Sequence, residues 1–100
     1  MVFLLLIKIF LHSMFVAESD SRQTDFVCES HSSQTLAEIL NEVTQQNESV
    51  LSTMIDETGH FRPNVAVFFG SDQQLRLEGP DVVVGENVKE ISIFPALSGG

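Results

Sequence analysis

The strongest constraint on this chain is one well-signalled amphipathic helix set between two strongly apolar, β-rich runs. Thr35 stands just before Leu36, and Glu38 follows three positions after the threonine. That is the pattern of a capping box, in which each side chain satisfies the other residue's backbone N–H. Leu36, Ile39, Leu40 and Val43 then fall at i, i+3, i+4 and i+7, one apolar face, with Glu38, Asn41, Glu42 and Gln45 on the solvated side. The helix is expected to end near Gln46. A single helix of this kind must bury its stripe against a flat partner, and the flanking sequence supplies strands.

Phe3 to Leu11 is a β-branched and aromatic run. Alternation sets Ile7, Ile9 and Leu11 on one side and Lys8, Phe10 and His12 on the other. Glu18 to Thr24 reads as a polar loop. Asp25 to Glu29 reads as a second strand, antiparallel to the first, with Phe26 and Cys28 sharing a face. Beyond the main helix, Ser49 to Ile55 suggests a second short helical turn with Val50, Leu51 and Met54 inward. Asp56-Glu57-Thr58-Gly59 is a turn, Asn64 to Phe69 a strand after Pro63, and Gly70-Ser71-Asp72 its end. Gln74 to Leu77 is expected as a short strand, Gly79-Pro80 as a break and Val82 to Val84 as an extended piece. Glu90 to Phe94 is the last strand, with Ile91 and Ile93 on one face and Ser92 and Phe94 on the other. The order predicts an α+β roll, a mixed sheet of about five strands covered by one main helix. The first and last strands, being the most apolar, belong at its centre. Residues 1–95 form the domain, and 96–100 a flexible tail.

Size and charge remove several functions. At 100 residues the chain holds one domain, which excludes a multidomain enzyme. A net charge of -9 repels polyanions, so nucleic acid is not a partner; a basic groove on another protein suits it better. Cys28 is the only cysteine, which rules out an intrachain disulfide, and it reads as a small core-facing strand residue in preference to a nucleophile. Only Cys28 and His31 lie close together, and no second pair completes a zinc site. His12, His31 and His60 show neither triad nor ligand spacing, so neither a metal nor a bound cofactor is expected. The apolar start has some features of a secretion signal, including Val16-Ala17, which would make this a small secreted protein. Against that, no basic residue precedes the run, Lys8 interrupts it, and Phe15 stands where a small residue is wanted. The run is also too short for a membrane helix. A cytoplasmic protein without a membrane partner is expected.

The chemistry lies at Leu97-Ser98-Gly99-Gly100. Two glycines without side chains can thread a narrow tunnel in an enzyme and leave the terminal carboxylate unhindered. A free carboxylate is a poor acyl donor, but ATP can convert it to an acyl adenylate that sulfur or an amine then attacks. The plain alternative is a frayed end.

At this point the chain resembles the MoaD/ThiS family of ubiquitin-like sulfur carriers, the MoaD branch above all. Ile7-Lys8-Ile9-Phe10 resembles the family's first strand, and Thr35-Leu36-Ala37-Glu38-Ile39-Leu40 the start of its helix. Asp56-Glu57-Thr58-Gly59 and Arg62-Pro63-Asn64-Val65-Ala66-Val67 resemble its middle turn and strand. The most specific piece is Ile91-Ser92-Ile93-Phe94-Pro95-Ala96-Leu97-Ser98-Gly99-Gly100. The resemblance implies a ubiquitin-like β-grasp fold and a carrier rather than an enzyme. It also implies that Gly100, presented by Gly99, is adenylated by a ubiquitin-activating-type adenylyltransferase that uses ATP, and is then converted to a thiocarboxylate. In the MoaD branch the sulfur passes to a molybdopterin precursor while the tail sits in the large subunit of molybdopterin synthase. Phe94 matches a partner-facing position, and Phe10 shares its face by alternation; Pro95, Ala96, Leu97 and Ser98 would lie along the partner with the tail. Ala96 stands where the family has a second proline, the glycine-acid turn is displaced to Gly85-Glu86-Asn87, and no basic residue follows the first strand. A second functional class is a protein modifier joined through Gly100 to lysines of conjugation targets; Lys8 and Lys89 are its own only lysines. Asp81, Glu86 and Glu90 read either as a solvated edge or as a docking patch for a basic partner.

Overall fold

In the computed structural model the described residues are 5–30, 34–75, 79–85 and 87–96. Strand β1 (Leu5–Leu11) runs antiparallel to β2 (Asp25–Ser30) and parallel to β5 (Glu90–Pro95). Strand β3 (Val65–Phe69) lies antiparallel to β5, and β4 (Asp72–Gln73) to β3. The sheet order is β2-β1-β5-β3-β4, so the two most apolar strands occupy inner positions, as expected. The alternation is also as expected. Ile7, Ile9, Leu11, Ile91 and Ile93 are buried on one face, while Lys8 and Phe94 look out from the other.

Three helices cover the buried face: α1 (Ser13–Val16), α2 (Leu36–Thr44) and α3 (Glu48–Met54). The capping box at the start of α2 is formed. Thr35 Oγ1 accepts from the Glu38 N–H at 3.2 Å, and Glu38 Oε1 accepts from the Thr35 N–H at 3.2 Å. The next two helix N–H groups donate to the 80–84 segment, Leu36 to Val82 at 2.9 Å and Ala37 to Pro80 at 2.7 Å. Donors that a helix start leaves without an internal partner are thus satisfied by a distant loop. The extended piece at Val82 to Val84 therefore pairs with the residues before α2 and not with the sheet; Thr35 and Val83 form an isolated bridge. Leu36, Ile39 and Leu40 of α2 and Val50 and Met54 of α3 complete the core. Each such side chain, once buried, contributes about 1.5–3 kcal/mol.

Three differences from the sequence reading have clear causes. First, α2 stops at Thr44, one to two residues early, because Gln45 and Gln46 both take positive φ, at 56° and 59°. Thr44 is buried in their place, its hydroxyl donating to the Leu40 carbonyl at 2.7 Å. Second, a short strand after Gly70 is Asp72–Gln73; of the expected Gln74 to Leu77, residues 74 and 75 are not strand and the rest lies outside the described residues. Gly70 at φ +63° closes a two-residue turn that returns the chain at once. Third, the stretch after β1 contains α1, whose Phe15 and Val16 are 1% and 2% exposed. The His12 side chain caps it, Nδ1 accepting from the Met14 N–H. No helix among the described residues is long and apolar enough to cross a membrane.

Candidate functional site

The helices leave the other face of the sheet open. Pairing register places Leu6, Lys8 and Phe10 of β1 there, with Asp25, Val27 and Glu29 of β2, Glu90, Ser92 and Phe94 of β5, and Ala66 and Phe68 of β3. Three phenylalanines meet on this face. The Phe10 and Phe94 rings are 5.4 Å apart, and Phe68 meets Phe94 edge-on at 5.6 Å. Such tilted and edge-on pairs suit the ring quadrupole. Phe94 nevertheless stays 37% exposed, and Leu6 and Val27 are 62% and 63% exposed. Beside Phe10 lies a shallow depression of about 400 Å³, bordered by Lys8, Val27, Glu90 and Ser92.

The location of the trio follows from topology. Because β1 and β5 are parallel, their C-terminal ends lie side by side, and Phe10 and Phe94 both belong to those ends. The chain leaves the sheet at the same end. Pro95 pairs with Val65, and the Ala96 N–H donates to the Asn64 carbonyl at 2.7 Å, the last described bond of the ladder. Pro95 and Ala96 are both half-buried. Leu97, Ser98, Gly99 and Gly100 lie outside the described residues. The structure thus brings Phe10, Phe94, Pro95 and Ala96 to one end of one sheet. Phe68 was missed in the sequence, although its alternation against buried Val67 was a usable signal.

The remaining candidates separate. Glu90 lies on the open face in register with Lys8, whereas Asp81 belongs to the segment at the start of α2; Glu86 is outside the described residues, as is His31. Cys28 is buried on the helix side of β2, as expected for a core residue. Burial raises its thiol pKa, and the charge of Glu42 raises it further, the opposite of what a nucleophilic thiolate needs. Asp56 organises the exposed turn before β3. Its Oδ1 accepts from the Thr58 hydroxyl at 2.6 Å, the Thr58 N–H at 2.9 Å and the His60 N–H at 3.1 Å. The Thr58 hydroxyl, then the His60 N–H, hold this carboxyl below its ordinary range. The cluster is a self-contained turn. No group of three or more metal-binding side chains occurs among the described residues.

No family model matches this chain, and no curated protein matches it. Solved structures do. Small archaeal modifier protein 1 from Haloferax volcanii superposes with a TM-score of 0.66 at 12% identity, over 93% of this chain and 99% of that one. The protein of the same description from Methanosarcina acetivorans gives 0.62 at 15% identity, over 98% and 99%. A further Haloferax volcanii protein gives 0.67 at 16% identity, over 97% and 88%. The fold is the ubiquitin-like β-grasp. Within it, the open face described above is the side of the sheet that the helices do not cover, and β5 is the strand that hands the chain on to Leu97-Ser98-Gly99-Gly100.

Proposed function

We propose that this chain is a ubiquitin-like carrier whose Gly100 carboxylate is charged by an ATP-using, ubiquitin-activating-type adenylyltransferase. The observation that carries the reading is the aromatic trio of half-buried Phe10 and Phe68 with exposed Phe94, on the face where β5 passes into the diglycine segment. An enzyme gripping that face would hold the carboxylate at a fixed distance from its own ATP. A carboxylate oxygen of Gly100 attacks the α-phosphorus, pyrophosphate leaves, and an acyl adenylate forms. A sulfur nucleophile then displaces AMP to leave a thiocarboxylate. The sulfur recipient is a molybdopterin precursor, with the tail seated in the large subunit of molybdopterin synthase. The chain is a co-substrate in this scheme, and its own side chains supply no acid or base to the reaction.

A second acceptor is a lysine amine, which displaces AMP to form an amide and makes the chain a modifier of conjugation targets. The description of two of the solved neighbours as small archaeal modifier proteins favours this route as an addition to the first. The test is ATP–pyrophosphate exchange by the activating enzyme encoded in the same genome, with this chain as co-substrate. Exchange that requires the chain, disappears with Gly100 removed and falls about tenfold or more with Phe94→Ala supports the reading; exchange indifferent to either change overturns it.

A further inference from the structure

The ladder alternates, and β2 is the edge strand, with no further strand beside it among the described residues. The Leu11 N–H donates to the Thr24 carbonyl, so Thr24, Phe26 and Cys28 bond inward to β1. The N–H and C=O groups of Asp25, Val27 and Glu29 therefore point outward. The one described bond on this side is Gln23 Nε2 to the Asp25 carbonyl at 2.6 Å. Along the same edge, between β2 and α2, runs a groove in two contiguous parts of about 370 and 320 Å³ that share Gln23, Phe26, Val43 and Gln45. Half-buried Phe26 and Val43 make its floor apolar. Glu29 and Glu42 stand at one end and Asp20 at the other, and no lysine or arginine lines it among the described residues. The C-terminal turn of α2, which carries the negative end of that helix's dipole and no basic residue, borders the middle.

We propose that this edge receives an extended peptide as a sixth strand, and that the peptide reads basic-apolar-apolar-apolar-basic. On the open face its first and fifth residues stand opposite Asp25 and Glu29, and its third opposite exposed Val27; the second and fourth drop toward Phe26 and Val43. Main-chain bonds to Val27 and Glu29 supply affinity, and the alternating side chains supply selection. Charge excludes the simplest rival. A second copy of β2 aligned about Val27 would set Asp25 against Glu29 twice, like charges directly opposed. The backbone edge and its groove adjoin the aromatic face, since Asp25 and Val27 also border the depression beside Phe10, but the inference is independent of the Gly100 reading.

Titration of the full-length, isotope-labelled protein with the peptide acetyl-Lys-Ile-Val-Ile-Arg-amide tests this. The expected result is saturable shifts centred on the Val27 and Glu29 amides, with slowed amide exchange at both. Binding should weaken with added salt. The exposed double change Asp25→Lys with Glu29→Lys should weaken this peptide by roughly tenfold and admit the Glu-Ile-Val-Ile-Glu peptide instead. The titration is read without the activating enzyme, so either reading can fail without the other. The absence of shifts at millimolar peptide, shifts centred on Phe10 and Phe94, indifference to charge reversal, or concentration-dependent dimerisation through β2 would overturn the proposal.

Discussion

Ile93 and Phe94 are neighbours on β5 that face opposite ways, and replacing each with alanine separates the fold from its contact surface. Ile93 is 0% exposed in the core, and Phe94 is 37% exposed on the open face. Ile93→Ala removes three carbons, about 2.4 kcal/mol at ~0.8 per buried methylene, and a residual cavity raises the loss to about 3–4 kcal/mol. For a domain of this size that lowers Tm by roughly 12–32 °C. Phe94→Ala gives up ring contacts with Phe10 and Phe68 that remain partly wet, a loss of about 1–2 kcal/mol. Urea unfolding with an unchanged m-value measures both. The activation assay should rank the pair in reverse. Below its melting range Ile93→Ala should charge nearly normally, while Phe94→Ala should lose about tenfold or more in kcat/KM. Equal destabilisation by the two changes, or normal charging of Phe94→Ala, would refute the assignment of faces to roles.

Other outcomes follow from particular contacts. Cys28 should react slowly with iodoacetamide at neutral pH and at an ordinary rate only once the protein is unfolded; rapid labelling of the native protein would contradict its burial and its raised pKa. Asp56 is held below its ordinary range when folded, so its contribution is complete above the unfolded pKa and is lost as pH falls through the lower folded one. The Tm gap between the wild type and Asp56→Ala should therefore close below about pH 4, and a constant gap down to the acid limit would count against the turn's hydrogen bonds. Thr35→Val removes the cap acceptor of α2 and should cost about 1 kcal/mol, near 4–8 °C in Tm.

What the residues disclosed in advance depended on regularity. β1, β5 and α2 were legible because Ile7-Ile9-Leu11, Ile91-Ile93 and the Leu36–Val43 stripe repeat with unbroken periods, and because the capping box is a local device. Adjacency of Phe10 and Phe94 followed from the same alternation, once the first and last strands were placed together. α1 was not legible: four residues carry no period, and Phe15 is held by tertiary packing alone. The end of α2 was misjudged because glutamines, not glycine, take the left-handed positions there. Pairing of Val82 with Leu36 and the edge position of β2 arise from contacts far apart in sequence. Strand order, not strand content, creates the groove.

The central claim concerns one atom group, the carboxylate of Gly100, and mass spectrometry reads it directly. After incubation with ATP, the activating enzyme and sulfide, which displaces AMP directly, the intact chain should gain the mass of one sulfur-for-oxygen exchange, localised to the Gly99-Gly100 peptide. The same treatment should leave a Gly100-deleted chain unchanged. A chain that stays at its starting mass with an enzyme proven active on another carrier, or a modification that maps to any other residue, would contradict the account.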